Sequence, residues 1–508
     1  MIIYPSIEKL LYYAQSHLLL DDLDVIYARN LILDELKLTD YVQYEIDTDA
    51  IDEMQNPDAV LEPLVNYAVE SGIITDDQRD YFADKLMNIV IYKPSEVADM
   101  FADLHAKSPS KAFDWLYDYS IKSDYIKQTR IAKNKHWDAK GTKGKLEITI
   151  NLSKPEKSNK ATAKLLEKDN KAKAYPACMI CKENEGYTNG STHCRKTLRT
   201  VPMELGGEEW FWQFSPYSYF NQHGIAINTE HTPMKVDRST VDKLLDFVDF
   251  APNYFIGCNA ALPIIGGSIL THDHFQGGGK LLPMHKAPAL KKIKSEQFPY
   301  IDMCIVDWYN SVIRMSYTNK QNLADCAEMI INAWAEYSDE SVDIIAKTDA
   351  QHNSLTPIAR KLPDGKYCLE LILRNNRTSE EFPEGIFHSH PEYFPIKSEA
   401  IGLIEAMGLF ILPGRLDAQL AEVEKFLTKE VKYSAAKLDE KLLPLQPFIE
   451  KLVKESGTAK LSAVEAQLNI KDEINRVCEG ILDNTAVFKK DEKGVAAFDK
   501  FLASINIR

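Results

Sequence analysis

The stretch Gly266-Gly-Ser-Ile-Leu-Thr-His-Asp-His-Phe-Gln-Gly-Gly-Gly279 decides how this chain reads. His272, His274 and Gln276 stand two residues apart, and on an extended backbone alternate residues share one face. Two imidazoles and an amide then project together, between glycines that let backbone N–H groups approach an anion. A polar strand end with satisfied histidines would account for His-x-His alone. It does not account for Gly-Gly-Ser before and Gln-Gly-Gly after, so the stretch reads as a phosphate-handling site.

Outward from this loop the pattern is mixed. Lys145–Leu152 alternates with period two and is rich in β-branched residues, which predicts a strand. Glu209–Ser215, Gly224–Asn228 and apolar Tyr254–Gly257 are further extended candidates. Val241, Leu244, Leu245 and Val248 predict an amphipathic helix over Asp237–Phe250. A second segment repeats the theme, with strand-like Val342–Ala346 and Lys366–Arg374 followed by helix-like Ser398–Leu412. Strands then helix thus recur over 145–285 and 340–415. Residues 1 to about 120 carry helical spacing (Leu10, Leu11, Ala14, Leu18), with breaks expected near Pro57 and Pro63. From 417 the chain returns to charged helices. The expected fold is α+β: two halves with antiparallel sheets, at 121–295 and 296–416, between helical ends at 1–120 and 417–508.

Composition bounds the function. With 508 residues the chain can bury large cores without staples, and its charge of −15 argues against a nucleic-acid or anionic-membrane surface. Met-Ile-Ile-Tyr-Pro at the start has no basic leader pattern. The uncharged run Phe250–Leu270 has bilayer-spanning length, but Pro252, Gly257, Asn259, Pro263 and Gly266 break it. Eight cysteines are no disulfide framework, so a reducing cytoplasm is expected. The lysine-rich stretch 154–173 reads as a solvated loop.

Cys178-Met-Ile-Cys181 has thiolate-ligand spacing. No second such pair exists, so histidines must complete any metal site, with His193, His223, His231 and His272 as candidates. Two reduced core thiols or a redox pair are the alternatives.

Taken together, Tyr175–Tyr187, Gln213-Phe-Ser-Pro-Tyr217, His231-Thr-Pro-Met234 and the glycine-rich stretch resemble the galactose-1-phosphate uridylyltransferases, in their longer bacterial form (class 2). Arg374-Asn-Asn-Arg377 and His390–Pro395 fit the same family. The resemblance spans nearly the whole chain and implies histidine-triad-like halves. It implies transfer of UMP from UDP-glucose to galactose 1-phosphate, with His274 as the covalent nucleophile and Gln276 holding phosphoryl oxygens. It also implies zinc on Cys178, Cys181, His231 and His272, no organic cofactor, and a homodimer. Gly267, Ser268, Gln213, Ser215, Tyr217, Arg130 and Asn259 form the expected substrate-binding set. His352, His388 and His390 are weighed as a second metal site. The competing readings are a related nucleotidylyltransferase or phosphorylase for another sugar 1-phosphate, and a zinc-stabilised nucleotide-binding protein without turnover.

Overall fold

A ten-stranded sheet dominates the computed structural model, which describes residues 3–153, 175–189 and 194–508. His193 and the lysine-rich stretch 154–173 lie outside the described residues. The strands are β1 (Lys135–Gly141), β2 (Gly144–Asn151), β3 (Val201–Leu205), β4 (Glu208–Phe214), β5 (Gly224–Asn228), β6 (Phe255–Gly257) and β7 (His274–Gly278). There follow β8 (Ala289–Ile293), β9 (Asp302–Val306), β10 (Val312–Tyr317), β11 (Asn353–Lys361), β12 (Tyr367–Asn375) and β13 (Leu409–Pro413).

The large sheet runs β3-β4-β5-β7-β6-β11-β12-β10-β9-β8. Counted from either outer edge, the order along the chain is first, second, third, fifth, fourth. In each half a helix, Arg238–Phe250 or Lys320–Glu336, connects the third strand to the fourth. The protein is therefore a duplicated β-β-β-α-β-β unit whose copies join antiparallel through β6 and β11. A separate three-stranded sheet, β1-β2-β13, contains a parallel pair, β13 against β2. Helices fill 4–131 and most of 415–504, at the two ends of an α+β fold.

Asp237 caps the helix Arg238–Phe250 by accepting from the Thr240 N–H, and Val241, Leu244, Leu245, Phe247 and Val248 bury against the sheet. They meet Trp212, Ala226, Ile256 and Phe275 in the main core. Among the described residues no helix is long and apolar enough to cross a membrane.

Three expectations fail. Val342–Ala346 is no strand: a 3₁₀ turn over Glu340–Val342 leads into a left-handed Asp343, with only the isolated bridge Asp339–Ile344. Ser398–Leu412 is not a helix beyond Leu403–Ala406, because Gly408, at φ +93°, turns the chain into β13 beside β2. Pro63 breaks nothing. It sits inside the helix Asp58–Glu70, where burial of Val60, Leu61, Leu64 and Val65 outweighs the lost N–H bond.

The tightest approach in the sheet is at Gly277. A Cβ there would lie 2.1 Å from the Phe255 carbonyl oxygen and 3.0 Å from Ile256 Cα. Both are backbone, so neither can swing aside. Gly277→Ala should therefore cost roughly 2–3 kcal/mol through overpacking, read as a lowered urea midpoint. An unchanged midpoint would rule out this β6–β7 spacing.

Candidate active site

Register sorts the side chains of β7. Gln276 lies opposite Ile225 of β5 and Gly257 of β6, and His274 lies opposite Ile227. Directly opposed residues share a face, so His274 and Gln276 stand with Ile225, Ile227, Phe211 and Gln213. Phe275 points the other way and stacks on Trp210, ring centroids 4.7 Å apart. Asp273 also faces the helix layer, 3.8 Å from Lys243 Nζ. Burial pushes its carboxyl up to about 6.

His274 is only 7% exposed. Its Nδ1 lies 2.8 Å from the His272 carbonyl oxygen. A carbonyl can only accept, so Nδ1 carries the proton and Nε2 keeps a bare lone pair. Burial pushes the imidazolium down to about 4, which leaves the ring neutral at pH 7. A buried, neutral imidazole with a free Nε2 is a nucleophile that needs no base.

Cys178, Cys181, His231 and His272 converge beside it, their ligand atoms all within 4.8 Å of one another. Cys181 Sγ is 3.1 Å from His231 Nδ1 and 3.3 Å from Cys178 Sγ, and Cys178 Sγ is 3.3 Å from His272 Nδ1. The edges of a tetrahedron with arms of about 2.0–2.3 Å are roughly 3.3–3.8 Å, so the donor set fits one metal ion. The second ring nitrogen of His272 donates to the Asn228 carbonyl at 2.8 Å, which leaves Nδ1 bare toward the thiols. Ile180 packs on Phe211 and Ile227, seating the cysteine turn on the face that carries His274. Asn184 donates to the Cys178 and Cys181 carbonyls, both at 2.8 Å. Sequence reasoning passed over Asn184, whose one signal was a place three residues after the second cysteine.

The other expected residues fall as follows. Gly267, at φ +78°, turns against Asn259, whose Nδ2 would lie 3.3 Å from a Cβ there, and Ser268 follows it in the same turn. Asn259 is buried and its Oδ1 accepts from the Leu403 N–H. Gln213 is buried with Oε1 unpartnered. Ser215 Oγ accepts from the Tyr217 N–H at 3.4 Å, and Tyr217 stacks on Tyr219. Arg130 is committed to Asp80 in the N-terminal helical layer, and Asn134 Oδ1 to the Leu152 and Ser153 N–H groups. His223 lies outside the metal cluster. His352 pairs with Thr348 and Asn376, His388 accepts from the Ile401 N–H, and His390 stacks on Phe382. Among the described residues these three gather no second metal cluster.

Comparison with known proteins agrees with this geometry. The family model "Galactose-1-phosphate uridyl transferase, N-terminal domain" matches residues 20–233, and its C-terminal counterpart matches 246–440. A galactose-1-phosphate uridylyltransferase of Halalkalibacterium halodurans is 42% identical, covering 99% of this chain and 98% of the relative. One from Caldanaerobacter subterraneus subsp. tengcongensis is 40% identical over 99% and 98%. One from Fusobacterium nucleatum is 40% identical over the full length of both. No solved structure matches the chain.

If the four-residue cluster holds a metal, purified protein should contain about one ion per chain. Chelation or Cys181→Ser should lower the melting temperature by roughly 5–10 °C. Elemental analysis and thermal melts test this, and equal stability with and without metal would remove the structural role.

Proposed function

Because the chain belongs to the galactose-1-phosphate uridylyltransferase family, we propose that it moves UMP from UDP-glucose to galactose 1-phosphate through a uridylyl group on His274. The supporting observation is the His274 ring itself, with Nδ1–H fixed on the His272 carbonyl and Nε2 bare. Nε2 attacks the α-phosphorus of UDP-glucose, a P–N bond forms, and the P–O bond to glucose 1-phosphate breaks. Galactose 1-phosphate then attacks the same phosphorus, the P–N bond breaks, and UDP-galactose leaves with the ring neutral again.

Gln276 sits one alternation along β7 on the same face, where its amide N–H meets the phosphoryl oxygens. The backbone of Gly267 and Ser268 joins it there, and Gln213, Ser215, Tyr217 and Asn259 complete the substrate-binding set of this reading, while Arg130 is held by Asp80. A sugar phosphate leaves as a stable anion, so no general acid is required. Zinc is the metal of this reading, held by Cys178, Cys181, His231 and His272. When bound it supplies no chemistry to the phosphate, since four protein ligands close its shell. The reading also includes a homodimer and a cytoplasmic setting; the latter is supported by eight cysteines free of disulfides.

UDP-glucose alone should add one uridylyl group to the protein and release glucose 1-phosphate, as intact mass measurement would record. Galactose 1-phosphate should discharge the adduct as UDP-galactose. His274→Ala should abolish labelling while metal and fold remain. A label on His272, or turnover by His274→Ala, would overturn the mechanism. A second outcome concerns the amide: Gln276→His should slow transfer and raise the share of UDP-sugar hydrolysis. Unchanged partitioning would remove the role given to Gln276.

A further inference from the structure

The sheet register places a third side chain beside the reacting pair. Gly224 lies opposite Gly277 and Ile225 opposite Gln276. His223, two residues before Ile225, is thus carried on the same face, diagonal to Gln276 across the β5–β7 pair. The position directly across from it is Gly278, where a Cβ would meet the Gln222 carbonyl and the Phe220 ring, both at 2.6 Å.

The His223 ring is held firmly. It stacks on Tyr219, centroids 5.2 Å apart at 21°, and lies 4.7 Å from the Phe220 ring. Its backbone N–H donates to the Phe220 carbonyl and its carbonyl accepts from the Ser215 N–H at 2.9 Å. The residue is 3% exposed, and neither ring nitrogen has a hydrogen-bond partner at normal distance among the described residues. The hydrogen-bonding side chain that bears on it is Gln276, while burial pushes the imidazolium down to about 4. The ring is therefore neutral and carries one N–H. A buried donor and acceptor left idle are costly, so the ring gains from a partner within reach.

We propose that His223 is a positioning residue: its ring N–H donates to Gln276 Oε1 and so turns the amide NH₂ toward the transferred phosphoryl group. An amide has two ends of opposite polarity. Presented the wrong way round, Oε1 would face the phosphoryl oxygens and repel them. His223 settles which end faces the substrate and does not touch the substrate. The proposal rests on the role given to Gln276 under the proposed function.

A double-mutant cycle on the full-length, metal-loaded protein tests it, reading the single-turnover rate of uridylylation by UDP-glucose and the melting temperature. His223→Phe keeps the stacking on Tyr219 and Phe220 and removes the donor. It should slow uridylylation about tenfold with the melting temperature unchanged or raised. His223→Gln, which restores an N–H, should recover most of the rate. In a Gln276→Ala background, already slow, His223→Phe should remove nothing further. Should His223→Phe fail to fold, His223→Met enters the cycle in its place. A donorless variant at the wild-type rate, or a loss that multiplies with that of Gln276→Ala, would overturn the proposal. Full activity in Gln276→Ala would instead show that Gln276 does not hold the phosphoryl group, and His223 would then have nothing to position.

Discussion

His272 serves two structures at once. Its ring joins the Cys178, Cys181 and His231 cluster, with the far nitrogen pinned on the Asn228 carbonyl. Its backbone carbonyl accepts the Nδ1 proton of His274 and so selects the tautomer of that ring. Because the carbonyl and ring belong to one residue, whatever fixes the ring also limits where the carbonyl can point. Order at the four-ligand cluster is thereby order at the His274 ring, whose Nδ1 lies 2.8 Å from the His272 carbonyl.

The duplicated sheet explains why only one half presents such a face. The row of Gln276 continues through Gly257 and Ile358 to Glu370 and Arg314. In the second half that face is closed. Glu370 is fully buried, 2.6 Å from Arg314, with His285 at 3.4 Å and Arg360 at 3.6 Å. Cations hold its carboxylate below the usual range despite burial. Removing one partner would strand a buried charge, so this cluster constrains sequence by desolvation rather than by chemistry.

The legible parts of the chain were those whose signal is local. β2, β4, β5, β12 and the helix Arg238–Phe250 were visible because alternation or helical spacing operates within a few residues. The shared face of His274 and Gln276 was visible for the same reason, whereas His272 lies before β7. What stayed hidden depends on partners far along the chain. β11 carries Pro357, a poor omen for a central strand, yet Pro357 needs only its carbonyl there, which accepts from the Cys258 N–H. β13 pairs with β2, about 260 residues earlier, which no local pattern announces. The cysteine pair announced ligands but not which histidines. His223 was visible as a metal candidate and invisible as a neighbour of Gln276, because that relation exists only once β5 and β7 are in register.

The same register accounts for what the transfer face excludes. The carboxylate nearest His274 in sequence, Asp273, is turned by strand alternation into the helix layer, where Lys243 meets it. The groups carried by the strands beside the His274 ring are an amide, a neutral imidazole, aliphatic Ile225 and Ile227, and the backbone of Gly257. None of these is an acid at pH 7. Water attacking a uridylyl-imidazole gains from a nearby base, and a sugar phosphate already ionised does not. A face without a carboxylate therefore costs the proposed transfer little and withholds an anionic base from water. On the proposed reading, the period of a β-strand thus keeps the Asp273 carboxylate away from the transferred group before any contact to the sugar is made.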